Sequence, residues 1–418
     1  MVVHKIYCKS IREGDRLGDK DKDKDKDKRR LCPDKICFQD LRKKLKRLQG
    51  QLISVTISGC CDIIQGRVFR VDKGSLILVG EFGRRIIPIC TISSIDACRV
   101  LAYVTNSGAP GTPGNTVSVI ETATDTVIAT ITVGTVPIGV AITPIGKRVY
   151  VVNELDNNVS VINTATNTVI DTIPVGNEPI LVAITPDGTR AYVGNGGDNT
   201  ISVIDTGSNM VTATITEGVG NFPFGISIGN APVGVRAYVA NTIDGTVSVI
   251  DVDPNSPTFN TVINTITVGN FPIDVAITPD GTSVYVTNAG DDNVSVIDTA
   301  TNTVTTIQVG DGPAGVGTGK TLVGTRVYVL NSDDDTISVI DADPNFPTFE
   351  TVIATITKGV GNSPSSAAVT PDGRKVYVPN NLDPTVSVID TVTNTIITSV
   401  PVGNGPNGVA IGRVCSRI

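Results

Sequence analysis

The chain has 418 residues, 40% of them hydrophobic, 18% charged and 4% aromatic, and a net charge of −7. That length holds two or three ordinary domains, or one large repeat domain with an appendage. No stretch reaches the roughly 18–20 apolar residues of a membrane helix, and a single histidine, His4, excludes a Ser-His-Asp triad, a His-rich metal centre and His-ligated haem from the remainder.

Charge divides the chain in two. Residues 1–100 carry 23 Lys/Arg against 13 Asp/Glu, whereas residues 101–418 carry 11 against 28. Seven of the eight cysteines lie in the basic part. Residues 1–37 read as a disordered charged arm, because Asp-Lys repeats five times over residues 19–28 and offers no apolar face to bury. Met1 to Arg16 begins basic but lacks an apolar run of signal-peptide length, so synthesis in the cytoplasm without a signal peptide is expected.

Residues 38–100 form the second segment. Phe38, Leu41, Leu45 and Leu48 recur at helical spacing between Arg42, Lys43, Lys44, Lys46 and Arg47, which predicts a short basic amphipathic helix ended by Gly50. Strands are predicted at Leu52–Ser58, Ile63–Val71, Ser75–Val79 and Arg84–Ile92, with Asp72-Lys73-Gly74 as a hairpin turn. A helix leading into about five bent strands resembles the small Sm-like barrel, in the short form found in proteins of spore-forming Firmicutes. Such barrels often bind RNA, yet Phe69 and Phe82 are the only aromatics available for stacking. An assembly or anchoring module is therefore the favoured reading, with nucleic-acid contact through residues 35–100 as the alternative.

From Leu101 a repeat takes over. Tyr-Val-x-Asn or a close variant recurs at Tyr103, Tyr150, Tyr192, Tyr238, Tyr285, Tyr328 and Tyr377, with spacings of 47, 42, 46, 47, 43 and 49 residues. That period accommodates four short strands and their turns, one propeller blade per repeat. In residues 272–309, Asp274 to Thr278 is the first strand, Pro279-Asp280-Gly281 a turn, Ser283 to Thr287 the second strand, Asn293 to Asp298 the third and Thr303 to Val309 the fourth. The first repeat lacks a first strand, and a surplus one, Asn407 to Ile411, follows the last. Pairing the two completes a blade and seals both open edges, so an all-β fold is expected, a seven-bladed propeller over 101–418 closed by strand exchange between its termini. A second period overlies the first: Tyr192 to Tyr285 spans 93 residues and Tyr285 to Tyr377 spans 92, with matching inserted turns at Asp253–Phe259 and Asp343–Phe349.

Tyr103-Val104-Thr105-Asn106 and Tyr285-Val286-Thr287-Asn288 make the repeat similar to the YVTN family of β-propellers. The resemblance covers residues 101–412 and implies kinship with surface-associated and quinoprotein-like propellers, a group with no single shared activity.

Sites are sparse in the sequence. Asp156, Asp198, Asp244, Asp291, Asp333 and Asp383 fall between second and third strands and so share one face as an acidic rim, readable as a cation or basic-partner site or as plain turn formers. Cys32, Cys37, Cys60 and Cys61 are candidates for disulfide cross-links or, with poorer spacing, zinc, while Cys90 and Cys98 read as small buried thiols. Gly315 to Thr321 superficially matches a phosphate loop, but a strand is expected after it in place of a helix. With no catalytic constellation and bland first strands, the expectation is a non-catalytic scaffold without cofactor. Its protein or surface-layer partners would place it in a spore coat, exosporium or cell surface. A propeller enzyme, lactonase or quinoprotein-like, with a site at the axial channel is the alternative.

Overall fold

The computed structural model describes residues 45–47, 49, 51–57, 63–71, 75–80, 83–88, 92–109 and 111–417. The charged arm and Cys32, Cys37, Cys60, Cys61 and Cys90 lie outside the described residues. Those described fall into two compact units, divided between Arg99 and Val100 and again between Val414 and Cys415. None of the described helical residues forms a helix long and apolar enough to cross a membrane.

In the first unit β1 (Leu52–Ile57), β2 (Ile63–Val71), β3 (Ser75–Gly80), β4 (Gly83–Pro88) and the start of β5 (Ile92–Ala109) pair antiparallel in the order β4-β3-β2-β1-β5. Ile53, Val68 and Leu76 are buried.

The second unit is a seven-bladed propeller of four-stranded antiparallel sheets. Blade 1 is built from both chain ends: the last strand, Pro406–Arg417, pairs with β5, which continues into β6 (Thr112–Glu121) and β7 (Thr126–Thr132). Blade 2 is β8 (Pro137–Ile142), β9 (Arg148–Asn153), β10 (Asn158–Asn163) and β11 (Thr168–Pro174), running from the axis outward, and blades 3 to 7 repeat it. The expected exchange of strands between the termini is therefore present. Burial follows position in the blade. In β9 and β10 Val149 to Val152 and Val159 to Ile162 are all buried, because a neighbouring blade covers each face, whereas in outermost β11 only Ile173 is. Gly315 to Thr321 lies in the inner strand of blade 6, Pro313–Thr321, and pairs with the next strand, so it is no phosphate loop.

The repeat residues build the ring. Each tyrosine of the motif is fully buried, and the hydroxyls of Tyr103, Tyr150, Tyr192 and Tyr377 reach the turn between the third and fourth strands of the next blade, whereas those of Tyr285 and Tyr328 are buried without a hydrogen-bond partner. Tyr150 and Tyr192 donate to Oδ1 of Asn209 and Asn260 at 2.9 and 2.6 Å. These acceptors have φ of 55° and 59°, a conformation asparagine adopts cheaply, so one residue both makes the turn and takes the bond. Tyr377 closes the circle on Asp125, which also pairs with Lys375 at 2.7 Å. The motif asparagine works within its own blade: Asn195 Nδ2 donates to Thr200 Oγ1 and Ser202 Oγ at 3.0 and 2.9 Å. Gly176 lies against it so closely that a Cβ there would stand 2.6 Å from Asn195 Cγ.

The two-blade period also has a structural counterpart. In blades 4 and 6 an arginine–aspartate pair anchors the inserted turn, Arg236–Asp251 at 2.7 Å and Arg326–Asp341 at 2.5 Å, with Thr258 and Thr348 donating to the same carboxylates.

Cys98, expected to be a buried thiol, is instead bonded to Cys415 across 317 residues of sequence. Neither spacing nor local motif links the two, since only closure of the ring brings the chain ends together.

Candidate functional site

Six of the seven inner strands start at a proline on the same face of the propeller, and in blade 7 the equivalent Pro364 bridges to Asn380 ahead of the strand Ala368–Val369; the turns between second and third strands rise on that face too. We term it the leading face. The residue before each proline is left-handed in all seven blades: Val136, Glu178, Phe222, Phe271, Gly312, Ser363 and Gly405 have φ between 48° and 61°. This is unfavourable for a β-branched or bulky side chain, by about 1–3 kcal/mol. Hydrogen bonds from the preceding blade hold it: Asn157 Oδ1 accepts from Glu178 N at 3.0 Å, Asn199 Oδ1 from Phe222 N at 2.8 Å and Asp335 Oδ1 from Ser363 N at 2.7 Å. With the backbone fixed from outside, the side chain at this position is free to differ from blade to blade, and it does.

A second variable ring lies beside the first. The residue after each motif asparagine donates its N–H to the carbonyl of the pre-proline residue, as Glu154 does to Val136 at 3.0 Å and Asn381 to Ser363 at 2.8 Å. Its seven members are Ser107, Glu154, Gly196, Thr242, Ala289, Ser332 and Asn381. Two rings of non-repeating side chains thus crown an otherwise regular body.

Symmetry is broken most at blade 1. Elsewhere the motif asparagine reaches a Thr or Asn five residues on, but Asn106 reaches Thr116, ten residues on, because β5 and β6 extend into a longer hairpin. Gly108, with φ of 102°, permits its bulge, since a Cβ there would lie 2.2 Å from Gly114 N. This hairpin walls a cavity of about 440 Å³ between blades 7, 1 and 2. Its polar lining comprises Ser107, Glu154, Asn381, Asn404 and Asn407, against apolar Val136, Ile138 and Leu382. Ser107 Oγ is committed to Gly405 O at 2.8 Å. The Glu154 carboxylate is half-buried, and burial first and the charge of Glu178 second hold its pKa above the usual glutamate range. Neither glutamate was among the residues singled out from sequence. The available signals were the variable position after Tyr-Val-x-Asn and the five extra residues of the first hairpin.

The acidic rim lies on this face, and its carboxylates have partners. Asp156, Asp198, Asp244, Asp291 and Asp383 each accept from a backbone N–H in the loop leading into the same blade: Thr135, Asn177, Asn221, Asn270 and Asn362, all at 2.7 Å. In blade 6 Asp334 occupies that position, accepting from Asp311 N at 2.8 Å, and Asp333 precedes it. These bonds lower the pKa of Asp198 and Asp291, so both remain ionised at neutral pH. Among the described residues no group of three or more His, Cys, Asp or Glu is placed to hold a metal ion.

One further acid departs from the expected blandness of the axial strands. Asp274 stands where Gly139, Gly225, Gly315 and Gly408 stand in their own inner strands. Its Oδ2 accepts from Val316 N of blade 6 at 3.2 Å and its Oδ1 from Val275 N at 2.9 Å, so it bridges two blades. Burial pushes its pKa up to about 6 against these donors. An acid with a raised folded pKa stabilises fully below its unfolded value, about 3.8, and loses that contribution as pH rises to about 6. Asp274→Asn is therefore expected to gain stability relative to wild type between pH 4 and pH 7.5, by about 2–3 kcal/mol or on the order of 5 °C in Tm. Thermal melts at both pH values check this, and an identical variant-minus-wild-type difference at the two would refute it.

Residues 122–272, 228–318 and 274–400 match the family described as Lactonase, 7-bladed beta-propeller. Among solved structures, hydrazine synthase of Kuenenia stuttgartiensis is 24% identical over 72% of this chain and 92% of its own, with a TM-score of 0.59. A functionally unknown protein of Desulfotomaculum acetoxidans is 18% identical over 75% and 98%, with a TM-score of 0.64. A protein of Bacteroides uniformis assigned to the 6-phosphogluconolactonases is 16% identical over 75% and 99%, with a TM-score of 0.60. At these identities the likeness is one of fold. No curated protein matches the sequence.

The family match overturns the expectation of a non-catalytic scaffold and points to an enzyme-type propeller, the reading held as the alternative. The expectation rested on the uniformity of the inner strands. Variation is concentrated instead in the two rings where those strands begin, and in the hairpin of blade 1.

Proposed function

The chain belongs to the lactonase family of seven-bladed β-propellers, and from that premise we propose that it hydrolyses lactones in the cavity between blades 7, 1 and 2. The observation that carries this reading is the half-buried Glu154, its pKa raised by burial and by the charge of Glu178, which faces a cavity of about 440 Å³ where the seven-fold regularity is broken. A carboxylate more basic than usual is suited to accept a proton from water near neutral pH. Glu154 takes that proton as the water oxygen attacks the lactone carbonyl carbon. The charge that develops on the carbonyl oxygen is met by the side-chain amides of Asn381 and Asn407, both lining the cavity. The ring C–O bond then breaks, Glu154 returns the proton to the departing alkoxide, and the product is a hydroxy acid.

Purified protein should release protons from aldonic-acid or aliphatic lactones, saturably and faster than spontaneous hydrolysis, when followed by pH-stat titration. Release no faster than the buffer blank across both classes would remove the lactonase reading.

For the first unit, the strand order β4-β3-β2-β1-β5 supports reading residues 38–100 as a Sm-like small barrel, and the tyrosine and asparagine roles support a YVTN type of repeat.

A further inference from the structure

We infer that the substrate of this site is an uncharged lactone, and that a phosphorylated one is rejected; the inference rests on the lactonase reading above. It follows from how charge is distributed between the two faces of the ring. Among the described residues, Lys147, Arg148, Arg190, Arg236, Lys320, Arg326, Arg374 and Lys375 all lie at or next to the turns between first and second strands, on the face opposite the cavity. In the loops of the leading face Lys358 is the single basic residue, placed just past the end of an outermost strand, Thr351–Ile356, and so on the rim. Among the described residues no lysine or arginine lines the cavity itself. Recognition of a phosphate calls for a cation, a helix N-terminus or a nest of backbone N–H groups. Among the described residues of the propeller there is no helix here, and in blades 2 to 7 an N–H of the loop leading into the blade is already taken by Asp156, Asp198 or their counterparts, although the loop leading into blade 1 has no such aspartate.

The acidic residues are close. Glu154 borders the cavity, and Glu178, near enough for its charge to act on Glu154, stands exposed on the next loop. Asp156 and Asp383 sit in the turns of blades 2 and 7, which flank the cavity, and the rim continues through Asp198, Asp244 and Asp291. A dianion approaching several carboxylates that no lysine or arginine on this face neutralises meets repulsion that a neutral sugar lactone does not. The same field acts on the product, whose new carboxylate is repelled from the site where it forms, and this favours release. Glu178 is the specificity-determining residue on this account: Val, Phe, Gly and Ser occupy its position in the other blades, so the ring itself does not require an acid there.

The test compares kcat/KM for D-glucono-δ-lactone and for its 6-phosphate at low and moderate ionic strength. At low salt the neutral lactone is expected to be favoured roughly ten- to hundredfold. The gap should shrink as salt screens the rim, and it should narrow several-fold in Glu178→Lys. A phosphorylated lactone turned over as well as the neutral one at low salt, or a preference that neither salt nor Glu178→Lys changes, overturns the inference while leaving the lactonase reading intact. Turnover of neither lactone overturns the inference, and if the wider lactone panel is also inert, the lactonase reading goes with it.

Discussion

Glu154→Gln is expected to lower kcat for lactone hydrolysis by roughly 10²–10⁴-fold, the range associated with loss of a general base, with a much smaller change in KM. The amide fills the same space in a site whose shape is set by backbone hydrogen bonds at Glu154 and Val136, so the fold and the melting temperature should hold. The wild-type pH profile carries an independent signature. A general base works ionised, so kcat/KM should fall as pH drops through the pKa of Glu154, which burial and Glu178 place above the usual glutamate value. Glu178→Gln removes the second of these causes and should move that acid limb to lower pH. An unchanged kcat in Glu154→Gln would locate the chemistry elsewhere on the leading face.

Loss of the Cys98–Cys415 bond should have the largest effect on stability. It closes a loop of 317 residues, for which chain entropy gives on the order of 3–5 kcal/mol, or roughly 5–15 °C in Tm. In a propeller the consequence is also one of place. Each blade packs chiefly on its two neighbours, so a ring that opens at blade 1 exposes an edge on either side from which unfolding spreads. Cys415→Ser should therefore melt lower than wild type and show earlier hydrogen exchange in β5 and the last strand than in blades 3 to 5. The serine variant isolates this bond, because a reducing agent would also act on any disulfide among the other six cysteines. Equal melting temperatures for variant and wild type would show that strand pairing and the Lys375–Asp125 contact close the ring unaided.

The propeller was legible because its determinants are local and repeated. Tyr192, Asn195 and Gly176 each do one job that recurs around the ring, and seven copies of such a pattern leave a period that no single substitution hides. Strand count and the offset ends then required closure, which the pairing of β5 with Pro406–Arg417 supplies. The site was not legible for the converse reason. Glu154, Glu178 and Asn381 occur once each, at positions whose counterparts in the repeat are Gly, Ala, Val, Phe, Ser or Thr, so no pattern marks them. From sequence Asp274 is one more residue of a short strand, although it replaces glycine where two inner strands meet.

By itself, then, the sequence determined what depends on short-range chemistry. It specified β-branched strands of blade length, turns that need Gly, Asn or Pro-Asp-Gly, seven repeats, and a surplus strand that only a ring can use. The tertiary structure alone decided what depends on bringing distant residues together. It joined Cys98 to Cys415, placed blades 7, 1 and 2 around one cavity, set Glu178 beside Glu154 and sorted basic residues from the leading face. The physical reason is that a propeller's backbone is held by contacts within a blade and between neighbours, whereas its site is assembled from loop residues that these contacts leave free to vary.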